Sequence, residues 1–210
     1  MTEHEAQERL RKLDEWRLGQ FGEAVWSNVL KPSGLRYIPL CQIANGGAPM
    51  VEAKRGGDAL ILPDFEVIGD GFDVYFDSKA KTQSVIYRAA KQERHGIDGR
   101  NYQHYLRVAD ATGRKAGLGI VELYRDCGPL KPREWSGALL VETLGNLRTP
   151  IMGFSNQEHM LYWTRKSFHE LDTLTAIELL DVANGKKCPG YPVQLSAIFR
   201  SVPRKQQDLF

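Results

Sequence analysis

Residues 60–81, LILPDFEVIGDGFDVYFDSKAK, are the stretch of sequence that decides the fold. The pair Asp70-Gly71 in its middle is a strong signal for a two-residue β-hairpin loop, because a type I′ turn needs positive φ at both central positions. Mostly apolar residues alternate with polar ones on either side of this pair, as expected for strands with one buried face. The stretch therefore predicts a hairpin with strands over 59–67 and 73–81.

This hairpin register would bring two carboxylates and a lysine together. Residues that face each other have numbers summing to 141, so Asp64 is expected opposite Asp77, and Leu62 opposite Lys79. Directly opposed side chains have Cβ atoms roughly 4.5–5.5 Å apart, and like charges at that distance repel. A cation between the two aspartates would remove the repulsion, which predicts a metal site. The alternative is an ordinary charged outer face on a half-exposed hairpin.

The same residues resemble a known motif. Pro63-Asp64, followed thirteen residues later by Asp77-Ser78-Lys79, is similar to the PD-(D/E)xK motif of the restriction-endonuclease-like nuclease superfamily. The proline-aspartate lies at the end of one apolar strand and the D-x-K in the next, with a hairpin between them. The resemblance implies a nuclease that hydrolyses phosphodiester bonds with Mg²⁺. It also implies that Asp64 and Asp77 are metal ligands and that Lys79 is the catalytic lysine.

The implied chemistry suits these residue types. Mg²⁺ prefers oxygen ligands and is commonly held by one or two carboxylates together with water and substrate phosphate. Bound there, it would polarise the phosphate and lower the pKa of an attacking water, and Mn²⁺ would be expected to substitute for it. A neighbouring lysine would orient that water and offset charge in the transition state. The expected reaction is endonucleolytic hydrolysis of DNA.

A glutamate on the first predicted helix is a further candidate. Glu23, in FGEAVWSNVL, resembles the glycine-glutamate pair that precedes apolar residues in many members of the superfamily. The resemblance implies that Glu23 approaches the metal or its water, as a third metal ligand. The alternative is an exposed helical glutamate, because Glu is a good helix former. Glu66 is a weaker candidate on the polar face of the hairpin.

Basic residues cluster after the motif. Residues 79–115 contain nine Lys and Arg against three Asp and Glu, a net charge of +6, whereas the whole chain carries +2. A basic segment beside a metal site is what binding to a nucleic-acid backbone requires, although a solvated basic helix has the same composition. The tyrosines in this segment would either stack on bases or pack inward. The candidate nucleic-acid contacts are Lys81, Arg88, Lys91, Arg100, Gln103 and Arg107, and the tyrosines are Tyr87, Tyr102 and Tyr105.

The pattern along the chain predicts an α/β fold. Predicted helices cover 3–30 and 98–111, and predicted strands cover 36–43, 118–124 and 138–143 in addition to the hairpin. This order is the αβββαβ core of the nuclease superfamily, a mixed central sheet flanked by helices. The core would span about 10–145 of a single nuclease domain, 1–210.

The C-terminal part is expected to form an accessory layer over about 150–200. A strand is predicted at Met160–Trp163. Ser167 and Glu170 have the spacing of a capping box, which predicts a helix from there to about Ala183. Trp163 and Arg165 would line the substrate or close a sheet edge.

Composition limits the class of protein. No apolar run approaches the roughly 20 residues of a membrane helix, and the charged N-terminus is unlike a signal peptide, so no membrane association is expected. Cys41, Cys127 and Cys188 are odd in number and lack CxxC spacing, which argues against a disulfide framework and predicts a cytoplasmic protein. Cutting both strands of a duplex with one site per chain would favour a homodimer.

Two other interpretations stay open at the level of sequence. The same fold would also suit a non-catalytic nucleic-acid-binding or assembly module, in which the carboxylates only tune charge. The other interpretation is an unrelated α/β protein with a chance match to the motif. The Asp/Asp/Lys set favours the nuclease, because a purely electrostatic binder gains nothing from acids that face phosphate.

Overall fold

The computed structural model describes residues 1–40, 50–52, 59–82, 85–87, 92–125, 134–147, 151–152 and 159–201. The helices are α1 (Glu3–Arg11), α2 (Glu15–Leu30), α3 (Gly99–Thr112), α4 (Ala176–Ala183) and α5 (Pro192–Arg200). The strands are β1 (Arg36–Pro39), β2 (Met50–Glu52), β3 (Ala59–Ile61), β4 (Phe65–Gly69), β5 (Phe72–Lys81), β6 (Val85–Tyr87), β7 (Gln92–Asp98), β8 (Lys115–Arg125), β9 (Glu134–Thr143), β10 (Ile151–Met152), β11 (Met160–Thr164) and β12 (His169–Leu174).

A mixed six-stranded sheet is the centre of the fold. Its order is β1-β4-β5-β8-β9-β12, with β5 and β8 parallel and the other neighbours antiparallel. Parallel neighbours need a crossover connection, and α3 lies in the connection from β5 to β8. The predicted mixed sheet flanked by helices is confirmed. The αβββαβ order is not confirmed, because the pairs β2–β3 and β6–β7 intervene along the chain.

Apolar residues pack on both faces of this sheet. One face carries α1, α2, α4 and α5, whose buried side chains join those of β5, β8 and β9 in one cluster. The other face carries α3 and part of a second, antiparallel sheet of order β10-β11-β7-β6. The described helices include none that is long and apolar enough to cross a membrane.

The central hairpin has the predicted register over part of its length. Gly69 pairs with Phe72 around a two-residue loop in which Gly71 has φ of 75°, and the ladder continues to the pair Phe65–Phe76. The ladder ends there, so Asp64 is not the cross-strand partner of Asp77 that the sequence predicted. The physical reason is local: the preceding Pro63 has no N–H to donate, and the chain bends at position 64.

Two helix predictions were wrong in their boundaries. The predicted helix over 3–30 is two helices, because the side chain of Asp14 accepts a hydrogen bond from Arg17 N and so begins α2 anew. The capping box before α4 is formed by Thr175 and Glu178, not by residues 167 and 170. Residues 169–174 form β12 instead, which pairs with β9.

The helix after the hairpin agrees with its prediction. Its N-cap is Asp98, whose side chain accepts from Arg100 N and Asn101 N, and it ends at Gly113 with φ of 68°. A left-handed residue at this position is the usual end of a helix and favours glycine. Helix α3 therefore has defined ends directly beside β5.

Candidate active site

The Asp64 side chain binds β5 at the point where β4 no longer does. Its Oδ2 accepts hydrogen bonds from Ser78 N at 2.8 Å and from Ser78 Oγ at 3.0 Å. Its own carbonyl accepts from Leu40 N at 2.8 Å. A side-chain oxygen thus satisfies the backbone donor that a continuing β4 would have satisfied, which fixes Asp64 against the strand that carries the D-x-K residues.

Asp77 directly precedes Ser78 on β5, and its side chain is buried. Its Oδ1 accepts a hydrogen bond of 2.6 Å from the hydroxyl of Tyr105, which belongs to α3. Its Oδ2 lies 2.7 Å from Lys79 Nζ. This Oδ2 is also buried and makes no hydrogen bond of regular geometry. One oxygen of Asp77 is therefore held by a neutral donor and the other faces a cation.

The two carboxylates affect each other. Burial, and next the charge of Asp77, raise the pKa of Asp64 to about 7. Lys79 and the Ser78 amide act in the opposite direction but do not restore the ordinary value. Two close carboxylates with one raised pKa are a typical arrangement for a group that must bind a cation or exchange a proton.

The two lysines of β5 respond in opposite ways to this environment. Burial acts to lower the pKa of Lys79, but the negative charges of Asp77 and Asp64 outweigh it and leave the pKa raised. For Lys81, burial and the positive charge of Lys79 lower the pKa. Lys79 is therefore firmly cationic beside the acids, whereas Lys81 loses its charge more easily.

Helix α2 approaches the site closely through a glycine. A Cβ at Gly22 would lie 3.1 Å from Ala80 N and 3.3 Å from Ala80 Cβ, closer than ordinary contact. The neighbouring Glu23 is half-buried, and its charge raises the pKa values of both Asp64 and Lys79. Glu23 thus lies within electrostatic reach of the site.

A divalent cation fits this donor set only in part. Among the residues that the structure describes, no three His, Cys, Asp or Glu side chains are close enough together to hold a metal ion. The structure therefore brings Asp64, Asp77 and Lys79 together but does not add Glu23 as a third ligand. Mg²⁺ is often held by two carboxylates or fewer, with water and substrate supplying the remaining oxygens. The buried Oδ2 of Asp77 pairs with Lys79, so an ion bound there would have to displace that ammonium.

Glu66 has a different partner. Its carboxylate forms an ion pair of 2.6 Å with Arg114 NH1. The guanidinium of Arg114 also donates to Tyr75 Oη and lies above the Tyr75 ring. Glu66 therefore belongs to a network that joins β4 and β5 to Arg114, the residue just before β8.

Three of the predicted nucleic-acid contacts form an exposed stripe on α3. Arg100, Gln103 and Arg107 are all exposed, and their spacing places them on one side of the helix. Lys81 is half-buried on the same strand face as Asp77 and Lys79. Arg88 and Lys91 lie outside the described residues.

Several other basic residues of the segment 79–115 are bound within the fold. Arg94 is buried, Arg114 pairs with Glu66, and Lys115 Nζ donates to the carbonyls of Phe199 and Ser201. The basic surface is therefore smaller than the charge of the segment indicates.

The aromatic residues of this region pack inward. Tyr102 and Tyr105 are both buried, and the ring of Tyr102 packs on that of Trp163 at a centroid distance of 5.5 Å. The two tyrosines are thus not placed to stack on bases, and Trp163, also buried, is not part of a substrate wall. The side chain of Tyr87 lies outside what the structure describes.

Arg165 belongs to an internal charge network. Its guanidinium pairs with Glu122 at 2.9 Å and with Glu170 at 2.6 Å. The carboxylate of Glu122 is fully buried and also lies 2.9 Å from His95 Nε2. This network ties β7, β8 and β12 together, and Arg165 is therefore a structural residue in the described fold.

Sequence reasoning did not predict the contacts that two residues of α3 make with the acid-bearing segments. Tyr105 binds Asp77, and His104 Nδ1 accepts a hydrogen bond of 2.9 Å from Ile61 N, three residues before Asp64. A signal for Tyr105 existed, because it repeats with Tyr102 and Val108 on the apolar side of the helix. A buried tyrosine hydroxyl usually needs a polar partner.

Comparisons with known proteins add a distant likeness to a solved structure. No family model matches the chain, and no curated protein matches it. Among solved structures, the chain is similar to the Holliday junction resolvase Hjc of Archaeoglobus fulgidus, with a TM-score of 0.41 and 10% sequence identity. The match covers 73% of this chain and 91% of that one. A likeness of this size leaves the function of this chain to be argued from its own residues.

Proposed function

We propose that this protein is a Mg²⁺-dependent nuclease of the PD-(D/E)xK type that cleaves phosphodiester bonds in DNA, with Mn²⁺ as a substitute ion. The observation that carries the proposal is the joint placement of Asp64, Asp77 and Lys79 around Ser78 of β5. This placement matches the motif in the sequence, and both carboxylates have reason to bind a cation. The central mixed sheet flanked by helices is compatible with such an enzyme.

In the proposed reaction, Asp64 and Asp77 would hold the ion. When bound, Mg²⁺ would polarise the scissile phosphate and make an attacking water more acidic. The oxygen of that water forms a bond to phosphorus as the bond from phosphorus to the leaving sugar oxygen breaks, and that oxygen takes up a proton. Lys79, with its raised pKa, donates hydrogen bonds to the attacking water or to the phosphate oxygens and so stabilises the added negative charge.

Substrate contacts would come from two places. Lys81 continues the strand face that carries Asp77 and Lys79. Arg100, Gln103 and Arg107 form the exposed stripe of α3, the helix that binds Asp77 from its buried side. Because Tyr105 contacts Asp77 from the opposite side of α3, a backbone bound along this stripe would have to pass around the helix to reach the acids.

One observation favours the second candidate, a non-catalytic nucleic-acid-binding module. In the described residues, Asp77 is already paired with Lys79 and Tyr105, and no third acid joins the site. A protein that had lost catalysis would keep such a neutralised acid as part of its fold. In that case DNA would bind but would not be cut with any divalent ion.

The test is a cleavage assay with the full chain. Supercoiled plasmid and branched DNA are incubated with Mg²⁺, with Mn²⁺ and with chelator, and wild type is compared with Asp77→Asn. The carboxamide keeps an acceptor for Tyr105 but removes the charge that would bind the ion, so cleavage should be lost. Asp181→Asn, on α4 beside an exposed lysine, is the matched control and should cut normally. Cleavage in chelator, or full activity of Asp77→Asn, would overturn the proposal.

A further inference from the structure

Two adjacent residues of α3 reach the two segments that carry the acids. The hydroxyl of Tyr105 donates to Asp77 Oδ1 at 2.6 Å. The ring of His104 accepts at Nδ1 from the backbone N–H of Ile61, the last residue of β3, at 2.9 Å. One helix thus contacts both sides of the site through neighbouring positions.

The two contacts differ in chemistry but both need a particular protonation form. Tyr105 is buried, and burial together with the charge of Asp77 raises the pKa of its hydroxyl, so the group stays a donor. His104 can accept at Nδ1 only when that nitrogen carries no proton, which places the ring proton on Nε2. Each contact is therefore directional, and each can be removed by one substitution.

These contacts lie beyond the end of the β4–β5 ladder. The β4–β5 ladder stops at Phe65 and Phe76, so beyond it Asp64 is held to β5 by the bonds from Ser78 to its side chain and not by strand pairing. Strand β3, which leads into Asp64, pairs with β2 in a separate two-stranded sheet. The bond from Ile61 to His104 ties this small sheet to α3, and the bond from Tyr105 ties α3 to β5.

The geometry points to His104 and Tyr105 as positioning residues that together set the spacing of Asp64 and Asp77 for a divalent cation. This inference rests on the proposed function, since it concerns the same site. Partners that orient metal-binding side chains commonly contribute a factor of about 10–100 to metal affinity. Tyr105 would act by holding Oδ1 of Asp77, so that the carboxylate presents Oδ2 to Lys79 or, in its place, to the ion. His104 would act one step further away, through the backbone of Ile61.

The same helix carries the exposed stripe of Arg100, Gln103 and Arg107 on its other side. The residues proposed to bind the nucleic-acid backbone and those that orient the acids therefore belong to one rigid element. Because both sets of residues lie on one helix, a phosphate that binds the stripe would lie at a fixed distance from the metal site. This makes α3 the element that relates substrate position to ion position.

The test measures Mn²⁺ binding to the full chain by calorimetry, without nucleic acid. Tyr105→Phe removes only the hydroxyl and should weaken binding by roughly tenfold or more. His104→Leu removes the acceptor and should weaken binding several-fold. His104→Asn should restore most of the affinity, because Asn Oδ1 is attached to Cγ as His Nδ1 is and can accept from Ile61. Tyr37→Phe, which removes a hydroxyl bonded to Ser27 away from the site, is the control and should bind as wild type does.

The outcomes separate this inference from the proposed function. If wild type binds Mn²⁺ and cuts DNA while Tyr105→Phe and His104→Leu bind equally well, the inference alone is wrong. If His104→Asn is weakened as much as His104→Leu, the acceptor role of His104 is wrong. If wild type neither binds nor cuts, the proposed function fails and the inference with it. Thermal unfolding of each variant checks the fold, and Tyr105→Phe and His104→Asn decide the question if His104→Leu does not fold.

Discussion

Lys79 Nζ lies 2.7 Å from Asp77 Oδ2, and the two residues differ sharply in exposure. The lysine side chain is 28% exposed, whereas the aspartate side chain is 1% exposed. The ammonium group thus reaches from the solvent side to a carboxylate oxygen that has no regular hydrogen bond. Because the neighbouring acids raise the pKa of Lys79, the ammonium keeps its charge over the whole physiological range. Without a divalent ion, Lys79 is the cation of the site.

We expect Lys79→Met to abolish most cleavage while DNA binding persists. Methionine keeps the length of the side chain but cannot donate to a phosphate or a water, and loss of one such donor typically costs about 10²–10³ in rate. Plasmid cleavage with Mg²⁺ measures the rate, and fluorescence anisotropy measures binding. Lys186→Met, at a well exposed position after α4, is the control and should cut at the wild-type rate. Equal rates for the two variants would contradict a catalytic role for Lys79.

We expect the stability of the metal-free protein to fall as pH rises through the range where Asp64 titrates. Asp64 has an ordinary pKa near 3.8 and a folded-state pKa of about 7. Between these values the folded state holds one more proton than the unfolded state, so the contribution of this group is fully present below about pH 4 and is lost as pH approaches 7. The loss should be about 4 kcal/mol at most, since each pH unit between the two values contributes about 1.4 kcal/mol.

Asp64→Asn isolates this effect, because other acids titrate in the same range. The carboxamide can still accept from Ser78 but does not ionise, so the stability of the variant relative to wild type should grow between about pH 4 and 7 and then level off. Urea unfolding in chelator at a series of pH values measures the difference. A constant difference across that range would show that the pKa of Asp64 is not raised.

We expect Gly22→Ala to destabilise the fold and to disturb the site. The added Cβ would press on Ala80 N at 3.1 Å, so α2 must move away from β5. Overpacking of this kind costs about 1–3 kcal/mol, which exceeds the roughly 1 kcal/mol that alanine gains over glycine in a helix. Gly19→Ala on the same helix is the matched control, because nothing lies within 4 Å of its Cβ position, and it should stabilise. Urea midpoints of the two variants should therefore shift in opposite directions.

We expect Arg100→Ala and Arg107→Ala to weaken DNA binding without changing sequence preference. Both side chains are exposed on the α3 stripe. In a plot of the logarithm of the binding constant against the logarithm of salt concentration, removing one ion pair with a phosphate should make the slope less steep by about one. Anisotropy titrations at several salt concentrations give the slope. Arg17→Ala, exposed at the start of α2, should leave it unchanged. An unchanged slope for both stripe variants would place the nucleic acid on another surface.

The hairpin is the part of the fold that could be predicted best from the sequence. Asp70-Gly71 determines the loop, and the register then follows by counting as far as Phe65 and Phe76. The end of the ladder could not be predicted by counting. At that point the side chain of Asp64 accepts from Ser78 N in place of a backbone carbonyl of β4. The sequence placed Asp64 near Asp77 through a continued strand ladder. In the structure Asp64 instead reaches β5 through its side-chain bonds to Ser78.

Buried polar residues explain why β7 was missed, although its neighbour in the second sheet, β11, was predicted at Met160–Trp163. Strand β7 carries Arg94 and His95, which are both buried, so its sequence has neither an apolar run nor an apolar alternation. His95 is tolerated inside because Glu122 lies 2.9 Å from its ring. Such pairs form between residues far apart in the chain, and hydrophobic periodicity carries no information about them.

The capping-box error has a simple physical origin. Both Ser167 with Glu170 and Thr175 with Glu178 have the required spacing. Only the second pair leads directly into an apolar helical run, Ala176–Ala183. The first pair is followed by residues that form β12, which pairs with β9 at the edge of the main sheet.

The side chain of Asp64 has a structural role, since it accepts two hydrogen bonds from Ser78, as well as its proposed role in catalysis. Its oxygen completes the edge of β5 and is also proposed to face the ion. A descendant that had lost all catalysis would still gain stability from an oxygen acceptor at this position. Retention of Asp64 in a related chain would therefore be poor evidence that the chain cuts DNA. Lys79 is no better guide, because its ammonium donates to Ser78 O at 3.2 Å and pairs with the buried Asp77, so that it too would stabilise an inactive descendant.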